Sequence, residues 1–266
     1  MGKFINGITN YKEWRDHAKD SKKYMERMAL ISELLPKKDN LGVIDQYRLA
    51  NALAVSELTG KLEGFYAIST SVLMNPICQA RARCKGCICE SCYAAVGASR
   101  FSGLTQALET NYLILNNFLL DEEVLSTVPI PSTNGKARIE SHGDAATEIC
   151  ALNHRRIVAS HRHLVCAVFS KNLHLYKNPL KVEGKPDNMI FIASSPMVNE
   201  IMEVPEDCKW FVDHVFTVYD EDYAREHGIN INCGTWDAKS LDHRCKRCLR
   251  CYELDNADYY ISELKK

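Results

Sequence analysis

The sequence predicts an α/β fold in which parallel strands form a barrel or partial barrel. The chain has 266 residues, of which 46% are hydrophobic, so it can bury the core of one globular domain. Short apolar segments alternate with segments of helical periodicity, which is typical of βα units. Small or polar residues follow each apolar segment, as expected where the carboxyl ends of parallel strands meet at one site.

Two helices are predicted ahead of the first strand. Residues 10–36 have the pattern of a polar amphipathic helix, and residues 42–60 that of a second helix ending near Gly60. We therefore expect an N-terminal helical extension over residues 1–62.

A parallel sheet is predicted over residues 63–232. Its five clear strands are residues 64–70, 137–143, 164–170, 189–195 and 214–220, with a weaker sixth at 229–232. Helices at 102–120 and 144–162 have apolar residues three and four positions apart. This number of strands favours a barrel or partial barrel, with a doubly wound sheet as the alternative because the strand order is not readable.

Eight polar residues near the strand ends are candidates for binding and catalysis. The candidate cofactor-binding residues are Ser69, Ser71, Ser194 and Ser195. The candidate catalytic residues are Glu140, His142, Asp144 and Lys171.

The catalytic candidates have distinct expected roles. Glu140 or Asp144 is suited to bind the amino group of an aminoacyl cofactor, and His142 to exchange protons near pH 7. Lys171 is suited to a carboxylate or phosphate. Asp144 fits a helix N-cap equally well, and the segment from Ser194 to Pro196 is expected to begin a helix.

Nine of the twelve cysteines lie in two short segments. The first segment contains Cys78, Cys84, Cys87, Cys89 and Cys92. The second segment, within the Cys-rich residues 233–266, contains Cys233, Cys245, Cys248 and Cys251. The other three, Cys150, Cys166 and Cys208, stand alone and are expected to be small buried hydrophobes.

The context of these cysteines indicates metal binding rather than disulfides. The N-terminal residues lack the apolar segment of a secretory signal, and no run of about 18 apolar residues is present to span a membrane. A cytoplasmic protein with no membrane partner is therefore expected, and its reduced thiols are suited to metal ligation. The net charge of −1 disfavours nucleic acid as a partner.

The spacing of the second segment favours an iron–sulfur cluster. The C-x2-C-x2-C pattern from Cys245 to Cys251 resembles the runs that surround an iron–sulfur cube, with Cys233 as the expected fourth ligand. Zinc is the alternative, although it is usually held by two separated cysteine pairs. Basic residues beside both segments would compensate the negative charge of a thiolate-ligated cluster.

Several motifs, in order, resemble one known family. They are "AISTSVLMNPICQARARCKGCICESCYA", "ARIESHGDAATEI", "AVFSKN", "KPDNMIFIASSP", "VDHVFTVYDEDYAREHGININCG" and "CKRCLRCY". The sequence is similar over about residues 64–252 to the phage and prophage family named gene product 88.

The resemblance implies a specific set of ligands. Cys78, Cys89 and Cys92 match the family's first site, and the four cysteines of the second segment match its second site. The family pattern does not require Cys84 or Cys87. The resemblance implies an iron–sulfur protein that is expected to hold 4Fe–4S clusters. Its fold is expected to be a barrel related to that of radical S-adenosylmethionine enzymes. It also implies that the protein is encoded by a phage or prophage in a bacterial host.

Three functions remain open at this point. The leading expectation is a redox-active iron–sulfur protein that resembles radical enzymes, with S-adenosylmethionine as a candidate cofactor. The second is a non-enzymatic electron-transfer or redox-sensing protein that works with a protein electron donor. The third is a zinc-binding nucleic-acid module.

Overall fold

Seven strands form one sheet in a computed structural model, which describes residues 20–132, 134–233, 245–253 and 259–265. The strands follow chain order across the sheet, and β1 alone runs antiparallel to its neighbour. They are β1 (Ser56–Glu57), β2 (Tyr66–Ile68), β3 (Lys136–Ile139), β4 (Val165–Ser170), β5 (Met189–Ser194), β6 (His214–Tyr219) and β7 (Tyr260–Leu264). This order has no reversal of the kind that defines a doubly wound sheet. Among the described residues, no pairing closes β7 onto β1.

Ten α-helices are present in the described part of the chain. They are α1 (Lys22–Leu34), α2 (Val43–Ala52), α3 (Pro76–Arg81), α4 (Tyr93–Ala98), α5 (Ser102–Asn117), α6 (Glu122–Leu125), α7 (Glu148–Ser160), α8 (Leu173–Glu183), α9 (Glu221–Glu226) and α10 (Cys245–Cys248). None of them is both long and apolar enough to cross a membrane. The mixed α/β class and the mostly parallel sheet predicted from the sequence are confirmed.

The side chains on the two faces of the sheet pack in two different apolar clusters. Successive side chains of a strand point to opposite faces, so Val168 and Phe191 pack with the helices. Their neighbours Phe169 and Ile192 point the other way and pack with Tyr252. The C-terminal segment thus covers the face of the sheet opposite the main helical layer.

The second predicted helix is shorter than its sequence pattern suggests. The helix α2 ends at Ala52, and the chain then enters the edge strand β1. Asn111 provides the physical reason, because its side chain accepts from Ala54 N and donates to Ala54 O, both at 2.8 Å. These contacts replace the hydrogen bonds that a continuing helix would form. The first predicted helix is α1, and residues 10–19 of that prediction lie outside the described part of the chain.

The weak sixth strand predicted at residues 229–232 is wrong. The last strand of the sheet is β7, which the periodicity did not indicate, and Asn232 lies beside it without joining the ladder. Asn232 Oδ1 accepts from Ser262 N at 2.9 Å, and the next amide, that of Cys233, donates to Ser262 O at 2.9 Å. One sheet therefore contains strands from the predicted N-terminal extension (1–62), the predicted sheet region (63–232) and the Cys-rich C-terminal segment (233–266). The division into those parts stays a prediction.

The helix predicted to begin at Ser194 is also wrong. The Ser195 hydroxyl donates to Glu200 O at 2.7 Å, closing a turn instead. The chain then pairs with the first cysteine segment, since Ile88 N donates to Pro196 O at 2.8 Å and Val198 N donates to Gly86 O at 3.1 Å. This pairing ties the first cysteine segment to the end of β5.

Candidate metal centre at the strand ends

The first cysteine segment is fixed to the sheet through Asn75. This buried side chain caps α3 by accepting from Ile77 N at 2.9 Å and from Cys78 N at 3.4 Å. Its amide donates to Asp144 O at 2.8 Å. Since Pro76 occupies the first helical position, α3 starts at a defined residue and Cys78 lies near the ends of β2 and β3.

Three cysteines of this segment pack in one small apolar cluster. Cys78, Cys89 and Cys92 pack in a cluster with alanines and leucines of α4 and α5 and with apolar residues on either side of α3. Cys87 is also buried and forms a thiol hydrogen bond with Cys89. Cys84 is exposed, and its Sγ lies 3.7 Å from Ala80 O. The structure therefore brings together the three cysteines implied by the family resemblance and leaves Cys84 at the surface.

The environment of Cys89 favours a thiolate. The hydrogen bond from Cys87, followed by the charges of Lys171 and Arg81, lowers the pKa of Cys89 to about 6. Burial raises the pKa of Cys78 and of Cys92. Metals bind the deprotonated thiol. A metal cation among these three sulfurs would therefore stabilise the thiolates of Cys78 and Cys92, which burial alone disfavours.

Asp144 connects the ends of β3 and β4 instead of capping a helix. Its Oδ1 accepts from the Ser170 hydroxyl at 2.7 Å, and its Oδ2 accepts from Lys171 N at 2.8 Å. Burial raises the pKa of Asp144, and Arg81 Nη1 lies 3.8 Å from Asp144 Oδ2. The cap of α7 is Thr147, which accepts from Cys150 N at 3.1 Å. Asp144, Lys171 and Arg81 thus border the first cysteine set.

Glu140 is buried and His142 is partly buried, and their expected roles stay predictions. Glu140 is buried and accepts from Thr70 N at 2.9 Å and from the Thr70 hydroxyl at 2.7 Å. Burial, followed by the charge of Arg138, lowers the pKa of His142 to about 4. These surroundings favour the neutral imidazole, and proton exchange by His142 stays a prediction.

The four candidate serines direct most of their contacts to the backbone. Ser69 Oγ accepts from Ser141 N at 3.1 Å and from His142 N at 3.3 Å. Ser71 accepts from Met74 N at 3.3 Å, and the Ser195 hydroxyl closes the turn after β5. Ser194 is buried at the end of β5. These residues shape the loops at the strand ends, and cofactor binding by them stays a prediction.

The second cysteine set gathers on the sheet face opposite the helices. Burial raises the pKa of Cys251, and the charges of Cys233, Cys245 and Cys248 raise it further, so all four thiols share one electrostatic environment. Burial raises the pKa of Cys245 to about 11, while Lys61 and Arg138 oppose this increase. Cys245 and Cys251 pack against the apolar cluster around Phe169 and Tyr252.

Two cations near this set were missed by sequence reasoning. Arg138 projects from the middle of β3 and places its guanidinium carbon 3.6 Å from the centre of the Phe169 ring. Lys61 forms an ion pair with Glu263 of β7. Alternation along β3 predicts that Arg138 faces opposite to Ile139, but the sequence does not show which face receives the cysteines.

A single zinc ion and an iron–sulfur cube require different spacings of their sulfur ligands. A tetrahedral zinc site with bonds of about 2.3 Å separates its sulfurs by about 3.8 Å. Within the described residues, no three cysteines have all their Sγ atoms within 4.8 Å of one another. Each thiolate of an iron–sulfur cube binds a different iron at a different corner, so a wider spacing suits a cube.

Comparison with known proteins adds one result. Searches among curated proteins and among solved structures find no match. The model of one family, described as gene product 88, matches residues 46–255. This match spans well over half of the sequence and includes all nine cysteines of the two segments. The chain therefore belongs to the gene product 88 family.

Proposed function

We propose that this protein is an iron–sulfur redox protein built on a partial (β/α) barrel. In this proposal, Cys233, Cys245, Cys248 and Cys251 hold one 4Fe–4S cluster, and the first cysteine set holds a second. The observation that carries the proposal is the grouping of four thiols, from positions 233 to 251, beside the partly buried cations Lys61 and Arg138. Positive charge stabilises thiolate-ligated clusters, whose net charge is negative.

The strand order supports the barrel architecture. Parallel strands that follow one another in chain order, each joined through a crossover on one side, are the arrangement of a (β/α) barrel. The first cysteine set lies after β2, next to residues that follow β3 and β4, which is where such barrels place their sites.

The first set supports an open coordination position. Cys78, Cys89 and Cys92 supply three thiolates, one fewer than the irons of a cube. A cube bound here would supply electrons for the reductive cleavage of S-adenosylmethionine. Lys171 and Arg81 border this set, and their charges suit the carboxylate of such a cofactor.

A second candidate function is electron transfer without catalysis. The four-cysteine set favours it, because a cube with all four irons bound to thiolates has no open position and can only exchange electrons. This function requires a protein electron donor or acceptor. It predicts reversible reduction of the protein without turnover of S-adenosylmethionine.

The proposal is tested by anaerobic purification of the full chain. Iron and acid-labile sulfide are quantified for the wild type and for Cys251→Ser, Cys89→Ser and Cys84→Ser. Cys84→Ser is the matched control, since Cys84 lies in the first segment but is exposed. We expect each ligand variant to lose about half of the iron and the control to lose none.

Electron paramagnetic resonance then separates the two functions. The reduced wild type is measured with and without S-adenosylmethionine, and 5′-deoxyadenosine is assayed as product. A changed spectrum and product formation, both lost in Cys89→Ser, support the radical reaction. Reversible reduction with an unchanged spectrum supports electron transfer. A colourless protein that contains zinc in place of iron refutes the iron–sulfur proposal itself.

A further inference from the structure

A third group of possible metal ligands lies outside both cysteine segments. Glu140 follows β3, and Cys150 and His154 are four residues apart on α7, so both project from one face of that helix. Among the described residues, this is the one group of three or more Glu, Asp, Cys or His ligand atoms all within 4.8 Å of one another. All three side chains are buried.

The distances within this group match a tetrahedral zinc site. His154 Nε2 lies 3.5 Å from Cys150 Sγ and 3.3 Å from Glu140 Oε1. Zinc bonds of about 2.3 Å to sulfur and about 2.0 Å to nitrogen and oxygen separate tetrahedral ligands by about 3.5 Å and about 3.3 Å. A charge-assisted hydrogen bond between a histidine and a carboxylate is shorter, about 2.7–2.9 Å. Both distances from His154 Nε2 therefore match those between ligands of one ion, and all three atoms lie within 4.8 Å of one another.

The surrounding contacts orient the ligands. Tyr176 Oη lies 2.7 Å from His154 Nδ1, so it can accept the Nδ1 proton and leave Nε2 free to bind a metal. Thr70 holds the Glu140 carboxylate with its backbone N–H and its hydroxyl. Metal-bound histidines and carboxylates commonly have such outer hydrogen-bond partners.

The charge of Glu140 also points to a cation. In the part of the chain that the structure describes, no lysine or arginine forms an ion pair with this buried carboxylate, and His154 is its ionisable partner. A metal cation beside this buried carboxylate would compensate its charge, in addition to its contacts with His154 and Thr70. Glu140 also has φ +59°, a backbone conformation that residues other than glycine adopt rarely and mostly where other contacts enforce it.

We propose that Glu140, Cys150 and His154 bind one zinc ion. Binding replaces the thiol proton of Cys150, which is released to solvent, and forms a zinc–thiolate bond. The ion connects the end of β3 to α7 on the helix side of the sheet, away from the second cysteine set. The site is independent of the iron–sulfur proposal.

The experiment measures zinc in the full chain after expression in zinc-supplemented medium. We expect about one zinc per chain after dialysis against a weak chelator. X-ray absorption at the zinc edge should show one sulfur at about 2.3 Å, with the remaining ligands nitrogen or oxygen at about 2.0–2.1 Å. This one-sulfur shell distinguishes the proposed site from zinc bound in either cysteine set, which would have mainly sulfur ligands.

Three variants and one control locate the ion. His154→Gln and Cys150→Ala should each reduce zinc retention by at least about tenfold. Tyr176→Phe should weaken zinc binding by about 10–100-fold without changing the shell of bound atoms, since Tyr176 positions His154 without touching zinc. Cys166→Ala is the matched control, because Cys166 is an equally buried thiol on β4. It should retain both zinc and iron.

Two outcomes would overturn the proposal. The first is a folded wild type that keeps no zinc, and the second is zinc with a shell of mainly sulfur. Wild-type absorption data decide the question even if a variant fails to fold. Cys251→Ser gives an independent check, since it should lose iron while its zinc spectrum remains that of a one-sulfur site.

Discussion

Gly143 shows how one residue controls the conformation of the strand ends. Its φ of +94° lies in the left-handed region, and a Cβ there would approach Thr70 Oγ1 to 2.7 Å and Glu140 Oε2 to 2.8 Å. It would also collide with the Thr70 carbonyl. Glu140 is one of the proposed zinc ligands, and Thr70 is the residue that holds its carboxylate in place. Glycine at this position therefore permits the close packing of the β2 and β3 ends.

Substitution of Gly143 should be far more destabilising than substitution of a glycine with similar backbone but open surroundings. Gly143→Ala is expected to lower the free energy of unfolding by about 3 kcal/mol or more, combining backbone strain with overpacking. Gly60→Ala is the control, because Gly60 has φ +64° and no atom beyond its chain neighbours lies within 4 Å of the position a Cβ would take, so the variant should lose about 1 kcal/mol. Urea denaturation followed by circular dichroism measures both values. Equal losses of unfolding free energy in the two variants would show that the atoms around Gly143 move to accommodate a Cβ.

At the scale of elements, Asn153 joins α7 to the connection between α5 and α6. Its Oδ1 accepts from Leu120 N at 3.0 Å, and its Nδ2 donates to Leu115 O at 2.9 Å and to Phe118 O at 2.7 Å. All of these groups are buried. The side chain therefore satisfies three backbone groups that neither helix can satisfy.

Removal of the Asn153 amide should leave these backbone groups without partners. Asn153→Ala is expected to lower the free energy of unfolding by about 3–5 kcal/mol, because each buried unsatisfied group costs about 1–3 kcal/mol. Asn178→Ala, at an exposed position of α8, should change it by less than about 1 kcal/mol. Thermal and urea unfolding of both variants test this difference. Similar stability of the two would mean that water replaces the lost amide.

At the scale of the whole molecule, Tyr252 links the C-terminal segment to the sheet. It is buried, and its ring centre lies 4.7 Å from that of Phe65. Its hydroxyl is buried without a hydrogen-bond partner among the described residues. The contribution of Tyr252 therefore comes from apolar packing next to Cys251, and its hydroxyl contributes little or opposes folding.

Two substitutions separate the ring from the hydroxyl. Tyr252→Phe should leave the free energy of unfolding unchanged or raise it by up to about 1 kcal/mol, because it removes an unsatisfied polar group. Tyr252→Ala should lower it by about 3–5 kcal/mol and reduce iron content, because the cavity disturbs the packing of Cys251. Urea denaturation and iron analysis of the two variants provide the comparison. A large loss in Tyr252→Phe would indicate a hydrogen bond of the hydroxyl instead.

Cluster binding should stabilise the entire fold. The second cysteine set connects residue 233 with residues 245–251 over one face of the sheet, so a ligand held there favours the native state. Removal of iron under reducing conditions is expected to lower the free energy of unfolding by more than about 3 kcal/mol. The difference in the free energy of unfolding between iron-loaded and iron-free protein should be smaller in Cys251→Ser than in the wild type. In Cys84→Ser this difference should be the same as in the wild type. The same difference in both variants would contradict cluster binding by the second set.

The sequence alone determined the α/β class, the five central strands and the grouping of cysteines. These features depend on local patterns: alternation of apolar and helical segments, and the spacing of residues from Cys245 to Cys251. The end of α2 was not readable, because it depends on Asn111, which is distant in sequence. The strand β7 was missed because five residues next to a polar C-terminal segment carry little periodicity.

Only the tertiary structure decided which side chains meet. It placed Arg138 beside the second cysteine set and left Cys84 exposed. It also brought Cys150, which the sequence indicated as a buried hydrophobe, next to His154 and Glu140. Such contacts join residues from separate strands and helices. They follow from which face of the sheet each strand residue occupies and how the crossovers pack, neither of which is encoded in a local pattern of residues.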